Sequence, residues 1–187
     1  MNIFHVTNEL STKNYSISSI ILFLTNNIFK KNYNKHSIII QKFDNYFKKK
    51  KEKLLIINSL NKLYKFFRQD NHKKNIFHIH GIWSLIQISF IVICSLRKIR
   101  VFIHPHGMLL PEALNSESLI KHTLKIIILK ILKIILRENT NFITVTNYET
   151  KQVKKLFPKL QIIKINNPIP FNIKKKKLKK KKLKKKR

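Results

Sequence analysis

Ile76-Phe77-His78-Ile79-His80-Gly81-Ile82-Trp83 and Val101-Phe102-Ile103-His104-Pro105-His106-Gly107-Met108 are two versions of one phrase. Each is a short apolar run, then His-x-His, then glycine. Between them, Leu85–Leu96 is almost wholly apolar and long enough for a buried helix. Together they read as strand, helix, strand, the unit that builds a parallel sheet. The chain holds only two glycines, and these are the two. A glycine after a strand lets the backbone take positive φ and lets a ligand approach closely. The carboxyl end of a strand in an α/β sheet is also where ligands settle.

Outward from this unit the same alternation continues. Asn2–Thr7 reads as a strand and Asn8–Ser16 as a polar loop. Ile17–Lys31 reads as a helix, with Ile17, Ile20, Ile21, Leu24 and Ile28 at helical spacing. Ser37–Gln41 is a strand, and Leu54–Arg68 a helix. After the second His-x-His-Gly comes a loop, Pro105–Asn115. A long helix follows, Glu117–Arg137, with Ser116 in the N-cap position. Asn141–Val145, Asn147–Phe157 and Gln161–Ile165 read as strand, helix and strand. The expectation is an α/β domain over residues 1–170 around a parallel sheet. Pro168 and Pro170 end it, and residues 171–187, a polylysine tract broken by Leu178 and Leu183, are expected to be a disordered tail.

Forty Lys and Arg stand against eight Asp and Glu, a formal net charge of +32. Eleven lysines and one arginine fall within Lys174–Arg187, so the body is strongly basic without them. Such a field suits anionic partners: phosphates, nucleic acid or acidic membrane. The heavy use of Ile, Lys and Asn is equally what A- and T-rich codons produce. No aromatic residue follows Phe171, so the tail has no platform for stacking bases, which makes nucleic acid a poor partner. Cys94, alone on an apolar stretch, fits a structural thiol in a reducing compartment. No basic-then-apolar leader opens the sequence, and no run is long enough for a membrane span, since Lys130 and Lys133 interrupt Ile126–Leu136. The expected location is cytoplasmic.

His78, His80, His104 and His106 raise the question of a metal, because i and i+2 on a strand share a face. No carboxylate neighbours either motif, so packing or substrate contact is preferred and no metal is expected. His106 stands out, between Pro105 and Gly107 at a strand end. Its neutral imidazole can donate to a sugar hydroxyl, or equally to a backbone carbonyl. Trp83 offers a ring to stack on a sugar, or to the core. The helix Lys121–Arg137 has a wide apolar face, with Lys121, Lys125, Lys130, Lys133 and Arg137 opposite. That profile fits a membrane-surface helix. Inside a βα alternation it more simply fits a domain helix with a lysine-rich outer face, leaving peripheral contact with an anionic membrane as a secondary expectation.

These motifs resemble the N-terminal half of a GT-B glycosyltransferase of the large family 4 (group 1). The resemblance runs from Met1 to about Pro170. It rests on His78-Ile79-His80-Gly81-Ile82-Trp83, on His104-Pro105-His106-Gly107-Met108-Leu109 with Pro111-Glu112-Ala113-Leu114, on a lysine near Lys121, on Thr146-Asn147-Tyr148-Glu149, and on Ile165-Asn166-Asn167-Pro168. It implies a Rossmann-like domain that binds the acceptor, a glycan or lipid-linked sugar of cell-surface polysaccharide synthesis. The donor would be a nucleotide-diphosphate sugar, with no metal or other cofactor. By resemblance His106 faces the donor sugar as the catalytic residue. His80, Gly81, Trp83, Gly107, Met108 and Glu149 would contact substrate.

Two departures stand out. The family's Gly-Gly loop after the first strand is replaced by Thr12-Lys13-Asn14-Tyr15-Ser16. The paired glutamates of its donor domain have no counterpart after Pro170, so the expectation is a truncated or frameshifted reading of a longer gene. The competing reading is a non-enzymatic basic protein that binds nucleic acid or anionic membrane through its tail.

Overall fold

The computed structural model describes residues 1–11, 15–25, 35–43, 54–69, 72–115 and 118–166. The expected polylysine tail, the Ser116 cap, the end of the Ile17–Lys31 helix and most of the Thr12–Ser16 segment lie outside them.

The elements run β1 (Asn2–Leu10), α1 (Tyr15–Phe23), β2 (Lys35–Phe43), β3 (Leu54–Ile56), α2 (Leu60–Gln69), a 3-10 turn (His72–Lys74), β4 (Ile76–His80), α3 (Leu85–Leu96), β5 (Arg100–His104), α4 (Pro111–Asn115), α5 (Leu119–Ile135), β6 (Thr140–Thr144), α6 (Asn147–Leu156) and β7 (Gln161–Lys164). The strands form one seven-stranded sheet in the order β3-β2-β1-β4-β5-β6-β7. Every pair is parallel. This is a Rossmann-like α/β fold.

The structure departs from the sequence pattern in three places: Asn8–Leu10, expected to open a loop, continue β1 to Leu10. Leu54–Ile56 pairs with Ile38–Ile40 as an edge strand rather than opening the next helix. Ser59 separates the two, and its Oγ accepts from the Lys62 backbone N–H at 3.3 Å, as an N-cap does. The short helix α4 also forms within the expected Pro105–Asn115 loop, where Leu114 N–H donates to Leu110 O at 3.0 Å.

Parallel crossovers are right-handed, so the direction of travel decides which face a helix covers. From β1 to β2 the chain steps one way, and α1 lands on one face, burying Ile21 and Leu22 with Leu10, Ile38 and Ile40. From β3 the chain crosses to β4 and steps the other way, so the later helices land on the opposite face. There Leu63 and Phe67, Phe90 and Cys94, Leu129 and Leu132, and Val153 and Phe157 close over Phe4, Val6, Phe77, Ile79, Val101, Ile103 and Phe142. Burying such side chains, at roughly 1.5–3 kcal/mol for each large one, is the main drive for the fold. Cys94 is free and buried here, and burial pushes its thiol well up, which keeps it inert.

The reversal lies between β1 and β4. In an open α/β sheet that switch point opens a crevice at the carboxyl ends of the strands.

Candidate functional site

Strand register brings the histidines together. His5 lies opposite His78, and Thr7 opposite His80, across the β1–β4 pair; His78 lies opposite Phe102, and His80 opposite His104, across β4–β5. His5, His78, His80 and His104 therefore share the face that α1 partly covers. His106 joins them from the loop. The His78 and His80 ring centroids are 4.1 Å apart, and His104 and His106 stack at 3.8 Å with planes 19° apart.

Three of these rings form a hydrogen-bonded line. His5 Nδ1 lies 3.3 Å from His80 Nε2, and His80 Nδ1 lies 3.1 Å from His106 Nε2. A neutral imidazole carries one N–H and one lone pair, so His80 donates to one neighbour and accepts from the other. The line then has a direction, and His80 sets the tautomer of His106. Burial holds His80 and His78 well below the usual imidazole pKa, with neighbouring histidines adding to it. Burial brings His104 down to about 3, and His106 likewise to about 4. His78, His80, His104 and His106 are therefore uncharged at neutral pH.

The two glycines do what their positions require. Gly81 has φ 95° and Gly107 φ 78°. A Cβ on Gly81 would sit 2.9 Å from Gln87 Nε2, whereas on Gly107 it would meet only Leu110 Cδ1 at 3.6 Å. His106 itself has φ 53°, a left-handed conformation that costs a non-glycine residue about 1–3 kcal/mol. Glu149 holds that conformation in place. Its two carboxylate oxygens accept from Gly107 N–H at 2.7 Å and from Val145 N–H at 2.8 Å. Glu149 is buried, and its own N–H donates to Thr146 Oγ1 at 3.1 Å, the N-cap of α6. It acts on the loop, and Gly107 N–H is already engaged. The group this loop offers outward is the His106 ring.

On the β4 side, Ser84 caps α3 in a capping box. Its Oγ accepts from Gln87 N–H at 3.2 Å, and Gln87 Oε1 accepts from Ser84 N–H at 3.2 Å. The Gln87 amide also donates to His80 O, and Gln41 Nε2 donates to Ser84 Oγ at 2.9 Å. Trp83 Nε1 donates to Met108 O at 3.3 Å, tying the two His-x-His-Gly loops together. Lys125 reaches in from α5, donating to Ala113 O at 3.1 Å with its ammonium 5.2 Å from the Trp83 ring centre.

Two cavities open here, one beside each loop. One, of about 310 Å3, is lined by Ser16, Ile17, Ile20, His106, Gly107, Leu110, Val145, Thr146 and Glu149. The other, of about 180 Å3, is lined by residues including Thr7, Glu9, His80, Trp83, Gln87 and Met108, and by Ile17 again. Ile17 borders both, so the paired rings of His80 and His106 stand at their junction. A larger groove of about 820 Å3 lies elsewhere, between Lys73, Lys98, Arg100, Phe102, Asn141 and Ile163, and touches none of these histidines.

All the site residues expected from sequence gather here: His80, Gly81, Trp83, His106, Gly107, Met108 and Glu149. His5, Thr7, Ser84 and Gln87 were not foreseen. Ser84 and Gln87 stand in a Ser-x-x-Gln pattern at a helix start, which is readable; His5 becomes visible only through strand register.

Two trios, His5–His78–His80 and His80–His104–His106, each bring three ring nitrogens within 4.8 Å. The chain matches no family model and no curated protein.

Proposed function

We propose that this domain binds the acceptor in a glycosyltransferase of the GT-B, family 4 type. The reaction moves a sugar from a nucleotide-diphosphate sugar to a glycan or lipid-linked acceptor in cell-surface polysaccharide synthesis, on the cytoplasmic side. The bond from the anomeric carbon to the diphosphate oxygen breaks. A bond from an acceptor hydroxyl oxygen to that carbon forms, the hydroxyl proton is released, and the nucleoside diphosphate departs.

The observation that carries this reading is the presentation of His106. A strained backbone, a glycine at positive φ and a buried glutamate together hold one neutral imidazole in the wall of one cavity, hydrogen-bonded to the His80 ring that lines the other. Backbone strain of this kind persists where the surrounding structure over-determines it, often at ligand sites. A neutral ring, with its tautomer fixed by His80, hydrogen-bonds a sugar hydroxyl without attracting a fixed anion. Trp83 beside His80 supplies an aromatic wall of the kind sugar rings stack on.

The test is saturation-transfer NMR with a panel of mono- and disaccharides and nucleotide-diphosphate sugars. Sugars are expected to take up saturation from the wild-type chain. They should lose it with His106→Ala and with Trp83→Ala, while the far-UV circular dichroism of each variant stays native. A panel in which no sugar responds overturns the reading, as does a response that survives both substitutions.

A further inference from the structure

Helix α5 has two apolar faces, and only one is used by the fold. Leu129 and Leu132 point into the core, with Leu136 just beyond the helix end. On the opposite side Ile120, Leu124, Ile127, Ile131 and Ile134 are all exposed, Ile120 at 82% and Ile134 at 83%. Their spacing of four, three, four and three residues makes one straight stripe down the helix. At about 1.5 Å per residue, the 17 residues of α5 give it a length of about 25 Å.

This corrects the simpler expectation of a lysine-rich outer face. Lys125 is turned inward to Ala113 O and the Trp83 ring. Lys130 and Lys133 are exposed on one flank of the stripe, and Lys121 on the other. The outermost line of the helix is aliphatic. Scattered exposed aliphatics are ordinary, but a contiguous stripe on one helix marks an interaction surface.

We propose that this face of α5 docks on the surface of an anionic lipid bilayer, with the stripe in the acyl boundary and the flanking lysines among the headgroups. An in-plane helix of this kind combines an apolar face with a basic margin. Charge selects the occupant. The chain carries +32, and anionic lipid attracts each nearby Lys or Arg by about 1 kcal/mol. A second copy laid on the same stripe would bring lysine against lysine. A bilayer is also flat over the whole length of the helix and is anionic throughout, matching a chain whose basic residues extend well beyond the helix. Among the described residues no helix is long and apolar enough to cross a membrane, so the contact is peripheral. The proposal stands on α5 and does not depend on the transferase reading.

Co-sedimentation of the full chain with phosphatidylcholine vesicles, with and without phosphatidylglycerol, tests it. Lysines alone bind such vesicles electrostatically, so binding is compared at low salt and at about 0.5 M, where the screening length is only a few ångströms. The variant Ile120→Ser/Ile127→Ser/Ile134→Ser changes only exposed side chains, and an unchanged melting temperature verifies its fold. The wild type is expected to retain binding to the anionic vesicles at high salt, and the variant to bind them about tenfold or more weakly. Equal binding by both chains overturns the proposal, leaving the lysines as the whole attraction. A wild-type dimer that the triple substitution converts to monomer, with vesicle binding unchanged, overturns it in favour of a second copy.

Discussion

Glu149 Oε1 accepts the Gly107 backbone N–H at 2.7 Å, across 42 positions of sequence. A side chain in the first turn of α6 thereby fixes the loop that follows β5. The other oxygen, on Val145 N–H, fixes the start of α6 itself. One buried carboxylate thus aligns two strand ends.

Replacing Glu149 should therefore disturb the loop before it disturbs anything else. Glu149→Gln keeps one acceptor oxygen and loses the charge, so it should cost about 1.5–3 kcal/mol in urea unfolding. Glu149→Ala strands both backbone donors and should cost more. Equal stability of wild type and Glu149→Ala would show that the carboxylate does not hold the loop.

The two glycines should not be equally sensitive. Gly107→Ala meets only the backbone penalty of positive φ, about 1–2 kcal/mol. Gly81→Ala meets that penalty and also pushes on Gln87, whose amide is fixed by His80 O and Ser84 N–H. Its cost should be larger, by about 1–3 kcal/mol of overpacking. Thermal melting of the two variants side by side checks the order.

Acid should unfold this protein early. His104 and His106 are held to about 3 and about 4, against an ordinary value of 6.5. Below that ordinary value the unfolded chain takes up protons that the folded chain refuses. Stability should then be full above about pH 6.5 and fall steadily toward pH 4. Denaturant midpoints measured across this range read it. A His104→Gln/His106→Gln chain should show a shallower fall, and an identical pH profile in both would contradict the picture of a buried neutral cluster.

The two faces of α5 predict opposite mutational costs. Leu132→Ala removes a fully buried side chain and should cost about 2–5 kcal/mol. Ile134→Ala, two residues on, should change stability by less than about 0.5 kcal/mol. Similar costs in chemical unfolding would mean that the outer stripe is covered.

Most of the fold could be read from local pattern. Leu85–Leu96 is as expected to the residue, and the strands Ile76–His80 and Arg100–His104 fall on the two quoted runs, because each run has one consistent period and is bounded by turn residues. Leu54–Ile56 was missed because a short Leu-Leu-Ile run suits a helix start as well as an edge strand. Only a partner strand, β2, decides between them. The positive φ of both glycines was foreseeable from their placement in a chain that otherwise avoids glycine.

By itself, then, the sequence determined the alternation of strand and helix and the two glycine-tipped strand ends, since hydrophobic period and backbone freedom are local properties. Tertiary structure alone decided what those ends meet. His5 reaches the cluster through parallel register between β1 and β4, and Glu149 reaches Gly107 through the β5–β6 neighbourhood. It also decided the outer face of α5. The sequence shows apolar residues around most of that helix, but which of them the sheet covers depends on where the helix lands, set by the right-handed crossover from β5 to β6.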